Sequence, residues 1–227
     1  MLGIISGTLP LAAALQRSGR TQTCATPYGD VILTIADEMC ILDRHVDGAV
    51  PPHKIEHRAN IKALADRCDA IIGISSAGSM NPGITPGTIV VPDDFIHLDP
   101  PSFFEKDAVH TVPGLDEKLR KSILAACQDL GVTVRNGAVY YQTKGPRLET
   151  PAEIRMMSRF ADLVGMTAAS EATLAIEAEI PYAFICSADN WANGIGGVTP
   201  DYTSIVGQAK KNMDSIIEIV GRLTDGV

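Results

Sequence analysis

Residues 140–171 read YYQTKGPRLETPAEIRMMSRFADLVGMTAASE, and the α/β character of the chain is most evident in them. A β-branched and aromatic run over residues 137–142 predicts a strand, which a Gly-Pro-Arg turn follows. Thr150 and Glu153 have the spacing of a capping box, and Pro151 occupies the first helical position between them. A helix is therefore predicted to begin at Thr150, directly beyond the strand and its turn.

The second half of the stretch repeats this arrangement. Residues 161–164 predict a short apolar strand, Gly165 opens a turn, and an Ala-rich helix is predicted over residues 170–179. Both turns then lie at the same edge of a sheet. Glu149 stands beside the first turn, where its carboxylate can accept N–H groups from a ligand.

The rest of the chain continues this alternation. Residues 69–76 are an uninterrupted apolar run, typical of a central parallel strand with both faces covered. The tiny residues 75–80 at its end predict a turn that either packs tightly or admits a ligand. Further strands are predicted at residues 2–5, 31–36, 40–42, 86–91, 132–134 and 182–186, and further helices at 55–64, 115–130 and 204–223. We predict a single α/β domain over residues 1–227, with a central mixed sheet flanked by helices.

Composition excludes several classes of protein. The 227 residues are 45% hydrophobic, enough for one buried core, and the net charge of −8 argues against a nucleic-acid partner. Five cysteines at scattered spacings, without a CxxC pair, are expected to be reduced thiols of a cytoplasmic protein. No long apolar run predicts a membrane span, and the histidines lack the spacing of a metal site, so we expect neither.

Two predicted loops carry residues suited to binding an anion. Thr8 ends a Ser-Gly-Thr turn whose N–H groups and hydroxyl can cradle an anion, although a plain turn with a helix cap has the same pattern. Arg44 and His45 directly follow an apolar strand, and arginine suits bidentate contact with phosphate. A surface salt bridge between Arg44 and Asp43 or Asp47 is the alternative interpretation.

Seven motifs, in order along almost the whole chain, carry a resemblance to a known family: GIISGT (3–8), TPYG (26–29), RH (44–45), RANI (58–61), AGS (77–79), GPRLET (145–150), and GMT (165–167) with Glu171. Together they resemble the trimeric purine nucleoside phosphorylase and methylthioadenosine phosphorylase family. The resemblance implies phosphorolysis, in which phosphate attacks the anomeric carbon of a purine nucleoside to give a free base and a sugar 1-phosphate. It also implies inorganic phosphate as co-substrate, no other cofactor, and a homotrimer.

The resemblance further implies the site residues, with Arg44, His45 and Asn190 as the catalytic ones. The phosphate would be bound by Thr8, Arg44, His45, Ser75, Ser76 and Thr167, the purine by Ala77, Gly78, Leu148, Glu149 and Asn190, and the sugar with its 5′ group by Met166 and by His110. His110 belongs to a loop that would reach across to a neighbouring subunit.

Glu149 and Asn190 indicate which base is bound. An ionised carboxylate only accepts hydrogen bonds, which suits the N1–H of a 6-oxopurine, and an amide can donate to O6 and N7. A pocket of this kind can reject a mismatched base by roughly 10⁴. The family's spacing from Met166 favours Asn190 over the adjacent Asp189, which would suit a 6-aminopurine instead.

Two departures from the family leave the 5′ group open. The segment between His45 and Asn60 is one residue short and has Ala49 where the family has a second histidine, and the loop over residues 98–113 is also shortened. We predict phosphorolysis of 5′-methylthioinosine, inosine or guanosine. The alternatives are a 5′-methylthioadenosine phosphorylase, a hydrolytic nucleosidase and a non-catalytic nucleoside-binding protein.

Overall fold

The strands of the computed structural model, which describes residues 1–8, 19–197 and 199–224, form one large sheet. They are β1 (Leu2–Ser6), β2 (Arg20–Thr26), β3 (Gly29–Ala36), β4 (Met39–Asp43), β5 (Ala70–Ser79), β6 (Ile89–Val91), β7 (Asp94–Ile96), β8 (Val134–Asn136), β9 (Val139–Gln142), β10 (Leu163–Gly165) and β11 (Tyr182–Trp191). Their order is β2-β3-β4-β1-β5-β10-β9-β7, while β11 also pairs with β5, and β6 joins β11 to β8. Because β1 runs parallel to β4 and β5 whereas β10 is antiparallel to β5, the sheet is mixed, as predicted.

Helices cover both faces of this sheet. Those described are α1 (His57–Ala65), α2 (Glu117–Asp129), α3 (Pro151–Met157), α4 (Ala168–Glu177) and α5 (Tyr202–Thr224). Ile61 of α1 shares a buried cluster with Phe184 of β11, whereas Ile123 of α2 and Ile216 of α5 share another with Ile185. Successive side chains of a strand point to opposite faces, so the two clusters lie on either side of the sheet. The predicted fold class is confirmed.

The helix start predicted at Thr150 is also confirmed. The Thr150 hydroxyl accepts a hydrogen bond from the Glu153 amide at 3.2 Å, and the Glu153 carboxylate accepts one from the Thr150 amide at 2.7 Å. This capping box orients α3 and therefore sets the path of the loop between β9 and α3, which carries Glu149.

Two strands are longer than predicted. β5 continues to Ser79, so residues 75–79 belong to a strand and not to the predicted turn, and β11 continues to Trp191, five residues beyond its predicted end. The two strands pair in parallel over this length, and that pairing supplies backbone hydrogen bonds to a segment of tiny residues that has little β propensity of its own. The pairing shifts register between Ala188 and Asn190, which makes Asp189 the extra residue of a β-bulge.

Two expectations from composition concern the whole chain. The five cysteines are all buried free thiols, as expected. Across the described ranges, no helix has both the length and the apolar character needed to cross a membrane.

Candidate active site

A cavity of about 380 Å³ lies along the ends of β1, β4, β5 and β10, under the loop that precedes α3. Every residue predicted for the site except His110 lines it: Thr8, Arg44, His45, Ser75, Ser76, Ala77, Gly78, Leu148, Glu149, Met166, Thr167 and Asn190. His110 is exposed in the irregular segment between β7 and α2, outside this cavity.

Arg44 is held at the cavity by a buried ion pair. Its Nε and Nη2 donate to the two carboxylate oxygens of Glu171 at 2.6 and 3.0 Å, and each side chain is only 1% exposed. Nη1 donates to the Ile74 carbonyl at 2.7 Å, and Nη2 also lies 3.5 Å from the Ile5 carbonyl. A guanidinium has five N–H groups, so a single N–H, on Nη1, has no partner among the described residues and is left for a ligand.

The ion pair keeps Arg44 charged despite its burial. Burial by itself would lower the pKa of Arg44, but the charge and hydrogen bonds of Glu171 outweigh it, and the pKa is raised above its ordinary value. The guanidinium also packs against the backbone of Gly7, where a Cβ atom would lie 2.9 Å from Nη1 and 2.6 Å from the Ile74 carbonyl oxygen. Gly7 therefore has no room for a side chain.

Glu171 belongs to one of the seven motifs, but no function was predicted for it. Besides Arg44, the Tyr182 hydroxyl donates to Glu171 at 2.8 Å. A Cβ atom on Gly73 would lie 2.2 Å from that hydroxyl, so the glycine makes space for the network. A lone carboxylate in the Ala-rich first turn of α4, beside the predicted anion loops, was the signal that could have revealed this partner of Arg44.

His45 is positioned by the turn that follows β4. Asp43 accepts the backbone N–H groups of His45 and Asp47 at 3.0 and 2.7 Å, so Asp43 orders the turn instead of pairing with Arg44. Nδ1 of His45 donates to the Val50 carbonyl at 2.9 Å. Burial lowers the pKa of His45, so the ring is neutral at pH 7 and its Nε2 can only accept a hydrogen bond.

Ser75 and Thr167, which are predicted to bind the anion, both contact the hydroxyl of the buried Tyr140. The Tyr140 hydroxyl lies 3.5 Å from Ser75 Oγ and accepts the backbone N–H of Thr167 at 3.3 Å. Burial raises the pKa of Tyr140 to about 12, so it stays a neutral phenol. Gly165 allows this contact, since a Cβ atom there would lie 2.2 Å from the hydroxyl.

The cavity also contains a carboxylate and an amide, those of Glu149 and Asn190. Glu149 is 6% exposed, and its Oε1 accepts the Thr143 hydroxyl at 2.6 Å, while its backbone carbonyl accepts the Asn193 amide at 2.9 Å. The Asn190 amide donates to the Trp191 carbonyl at 2.7 Å, and no described residue pairs with its second N–H or its oxygen, so both are left for a ligand.

Asp189 does not line the cavity. Its carboxylate accepts the hydroxyls of Ser76, at 2.5 Å, and of Ser187, and the residue is only 3% exposed. Burial raises the pKa of Asp189 to about 6, although the two hydrogen bonds oppose the rise. The bulge in β11 thus separates the two neighbours: Asn190 lies at the cavity, and Asp189 lies behind Ser76.

One wall of the cavity is apolar and was missed by the sequence analysis. Val50, Pro51 and Pro52 form part of it, and Tyr202 and Ile205 at the start of α5 form the rest. The packing of α5 on β11 brings Tyr202 and Ile205 to the cavity, and no local sequence pattern marks such a tertiary contact. In the described part of the chain, no group of three or more His, Cys, Asp or Glu side chains is placed to hold a metal ion.

The chain is similar to known proteins over nearly its full length. Residues 2–225 match the family model described as the phosphorylase superfamily. An Archaeoglobus fulgidus protein named "Probable 6-oxopurine nucleoside phosphorylase" is 37% identical, over 97% of this chain and 94% of that protein. A Methanopyrus kandleri protein named "Probable S-methyl-5'-thioinosine phosphorylase" is 38% identical, over 90% and 80% respectively. The solved structure of a methylthioadenosine phosphorylase from Schistosoma mansoni with adenine has a TM-score of 0.86 at 22% identity, covering 98% of this chain and 89% of its own, which is a likeness of fold.

Proposed function

Because the chain belongs to the phosphorylase superfamily and is a purine nucleoside phosphorylase, we propose that its substrates are 6-oxopurine nucleosides. These are 5′-methylthioinosine, inosine or guanosine. The products are the free purine and (5-methylthio)ribose 1-phosphate or ribose 1-phosphate. Inorganic phosphate is the co-substrate, and no other cofactor takes part.

The observation that carries this proposal is that Glu149 and Asn190 line the same cavity as Arg44. An ionised Glu149 accepts the N1–H of a 6-oxopurine, and the free N–H of Asn190 donates to O6 or N7. Adenine carries an acceptor at N1 and a donor at its 6-amino group, so both contacts would be mismatched. The position of Asp189 behind Ser76 supports Asn190 as the residue that faces the base.

The reaction needs no nucleophilic side chain, because phosphate itself attacks the anomeric carbon. The N–H of Arg44 and the hydroxyls of Thr8 and Thr167 hold the anion beneath the sugar, where positive charge develops as the glycosidic bond breaks. The purine leaves with the electron pair of that bond. Asn190 donates a hydrogen bond to the ring while negative charge builds on it, and this contact is stronger in the transition state than in the ground state.

The apolar wall supports a 5′-methylthio group as one of the accepted substituents. Val50, Pro51 and Ile205 offer carbon surface to a thioether, which gains from leaving water, and offer little to a hydroxyl. We expect 5′-methylthioinosine to be cleaved with a higher kcat/KM than inosine, by about tenfold. The ratio of the two values, measured on one enzyme preparation, tests the expectation.

We also propose that the protein is a cytoplasmic homotrimer. The segment that carries His110 is exposed, with Val112 90% and Val109 48% accessible, as expected of a loop that covers the site of a neighbouring subunit. Light scattering tests the assembly. A monomer that remains active would contradict it.

The first experiment is release of the free base from inosine and 5′-methylthioinosine, with adenosine and 5′-methylthioadenosine in parallel, each with and without phosphate. We expect phosphate-dependent cleavage of the 6-oxo pair. Cleavage without phosphate would mean a nucleosidase, cleavage of the 6-amino pair a methylthioadenosine phosphorylase, and binding without cleavage a nucleoside-binding protein.

A pair of variants tests Asn190 directly. Asn190→Leu removes the amide at similar size and is expected to lower kcat for inosine by about 10²-fold, as loss of a transition-state donor does elsewhere. Asn190→Asp is expected to lose the same activity and also to gain cleavage of adenosine, because a protonated N7 or a 6-amino group can donate to the carboxylate. Unchanged inosine cleavage in both would remove Asn190 from the base pocket.

A further inference from the structure

The hydroxyl hydrogen of Ser76 is committed to a buried carboxylate. Ser76 Oγ donates to Asp189 Oδ2 at 2.5 Å, and the other carboxylate oxygen accepts the Ser187 hydroxyl. Ser187 in turn accepts an N–H of Asn212 from α5 at 2.7 Å. An amide N–H can only donate and a carboxylate can only accept, so the direction of every hydrogen bond in this chain is determined.

Ser76 therefore presents only lone pairs to the cavity. It is half-buried and lines the cavity directly after Ser75, whose Oγ lies 3.5 Å from the Tyr140 hydroxyl that accepts the Thr167 amide. The neutral ring of His45 offers a second acceptor, since its Nδ1 donates to a backbone carbonyl. The anion end of the cavity thus contains hydrogen-bond acceptors beside its donors, which a site for a fully deprotonated anion would not need.

We propose that Asp189 positions Ser76 as the acceptor for the hydrogen of a protonated phosphate oxygen, so that the site selects hydrogen phosphate over anions without a hydrogen, such as sulfate. Inorganic phosphate keeps at least one O–H group near neutral pH, and sulfate keeps none. Only the first can donate to Ser76. This inference rests on the proposed function, because it concerns the anion consumed in that reaction.

The charges around the site act in the same direction. The charge of Arg44 is balanced by Glu171, and Asp189 adds a negative charge directly behind Ser76. Within the described residues, Asp189 has hydrogen bonds to Ser76 and Ser187 and no ion pair. Its pKa of about 6 leaves it ionised above neutral pH. A nearby carboxylate repels a dianion more strongly than a monoanion, which favours dihydrogen phosphate over the sulfate dianion.

Asp189→Asn reverses the direction of the hydrogen bond at nearly constant shape. The Ser187 hydroxyl still needs an acceptor, because Ser187 Oγ continues to accept from Asn212, so it takes the oxygen of the new amide. The amide NH₂ then faces Ser76 and donates to it, and the Ser76 hydrogen turns into the cavity. Ser76→Ala removes the acceptor without supplying a donor, and Ser76→Thr keeps the hydroxyl.

The test is titration calorimetry of inorganic phosphate and of sulfate into the wild type and these three variants at pH 7.5, without nucleoside. Asp189→Asn is expected to lower the ratio of phosphate affinity to sulfate affinity by at least about tenfold, which is the size of effect that one charged hydrogen bond has. In this variant the Ser76 hydroxyl donates to sulfate, so the sulfate affinity rises, and it no longer accepts the hydrogen of phosphate. Ser76→Ala is expected to weaken phosphate binding and leave sulfate binding unchanged. Ser76→Thr is expected to keep the wild-type ratio.

Unchanged ratios in both Asp189→Asn and Ser76→Ala would overturn the inference. So would a loss of inosine affinity in Ser76→Ala with unaltered phosphate affinity, because Ser76 would then accept a sugar hydroxyl. The same wild-type sample is also assayed for phosphate-dependent cleavage of inosine. If it cleaves inosine in this way, the proposed function holds even where the outcomes above overturn the inference. A wild type that neither binds nor consumes phosphate would overturn the proposed function and the inference with it.

Discussion

Removing the charge of Glu171 is expected to destabilise the protein strongly, because it leaves Arg44 buried without a counter-charge. Each side chain is 1% exposed, and Glu171 accepts two hydrogen bonds from the guanidinium and one from Tyr182. Breaking a buried pair by removing one partner costs about 3–5 kcal/mol. Glu171→Gln keeps the size and one acceptor oxygen, so the loss is attributable to the charge. We expect its free energy of unfolding to fall by about this amount.

The double variant Arg44→Met/Glu171→Gln separates charge from packing. It removes the stranded cation as well, and replacing a buried pair by uncharged groups is often nearly neutral, so it is expected to recover at least about 2 kcal/mol of the loss. Stability is recovered, but phosphorolysis is not, because the proposed anion donor is gone. This opposite response of stability and activity is the signature of a buried functional ion pair.

Urea unfolding, followed by the fluorescence of the single tryptophan, Trp191, provides the measurement at one fixed protein concentration. The matched control is Glu105→Gln, which breaks an ion pair with Arg58 in which Glu105 is 66% exposed. Its expected cost is below about 1 kcal/mol. A cost of similar size for Glu171→Gln, or a double variant less stable than the single one, would refute the reasoning.

Three further predictions concern buried groups. Burial raises the pKa of Asp189 to about 6, so as the pH falls the folded state binds this proton at a higher pH than the unfolded state does. The free energy of unfolding of the wild type, relative to Asp189→Asn, should therefore rise by up to about 3 kcal/mol between pH 7 and pH 4. Burial lowers the pKa of His57 to about 4, so as the pH falls the unfolded state binds this proton at a higher pH than the folded state does. The free energy of unfolding of the wild type, relative to His57→Gln, should therefore fall by up to about 3 kcal/mol over the same pH range. Urea unfolding across this pH range measures both, and a difference that does not vary with pH would contradict either one. Gly165→Ala should cost about 1–3 kcal/mol through its clash with the Tyr140 hydroxyl, and Tyr140→Phe in the same chain should restore part of that loss; thermal unfolding that shows no restoration would place the strain elsewhere.

Local signals in the sequence were sufficient for the fold class and for the loops that carry Thr8, Arg44 and Glu149, and the family resemblance supplied the other predicted residues of the cavity. The apolar run of β5 and the capping box at Thr150 depend on a few neighbouring residues, and both were predicted correctly. The predicted residues meet at one cavity because loops at the carboxyl ends of neighbouring strands share one edge of a sheet. His110 lies outside this cavity, since the segment that carries it is not packed against the site of its own chain.

Periodicity and turn chemistry within short segments were enough to predict most strands and helices, a mixed sheet, and the loops that carry Thr8, Arg44 and Glu149. The strand β2 was missed, and Asn190 was assigned from the family resemblance. The pairing of the polar groups at the cavity, in contrast, follows from tertiary packing. Glu171 reaches Arg44 across 127 residues of chain, and the bulge in β11 sends Asp189 behind Ser76 while Asn190 remains at the cavity. The direction of a buried hydrogen bond depends on every neighbour that also needs a partner, and those neighbours come together only when the whole sheet and its helices have packed.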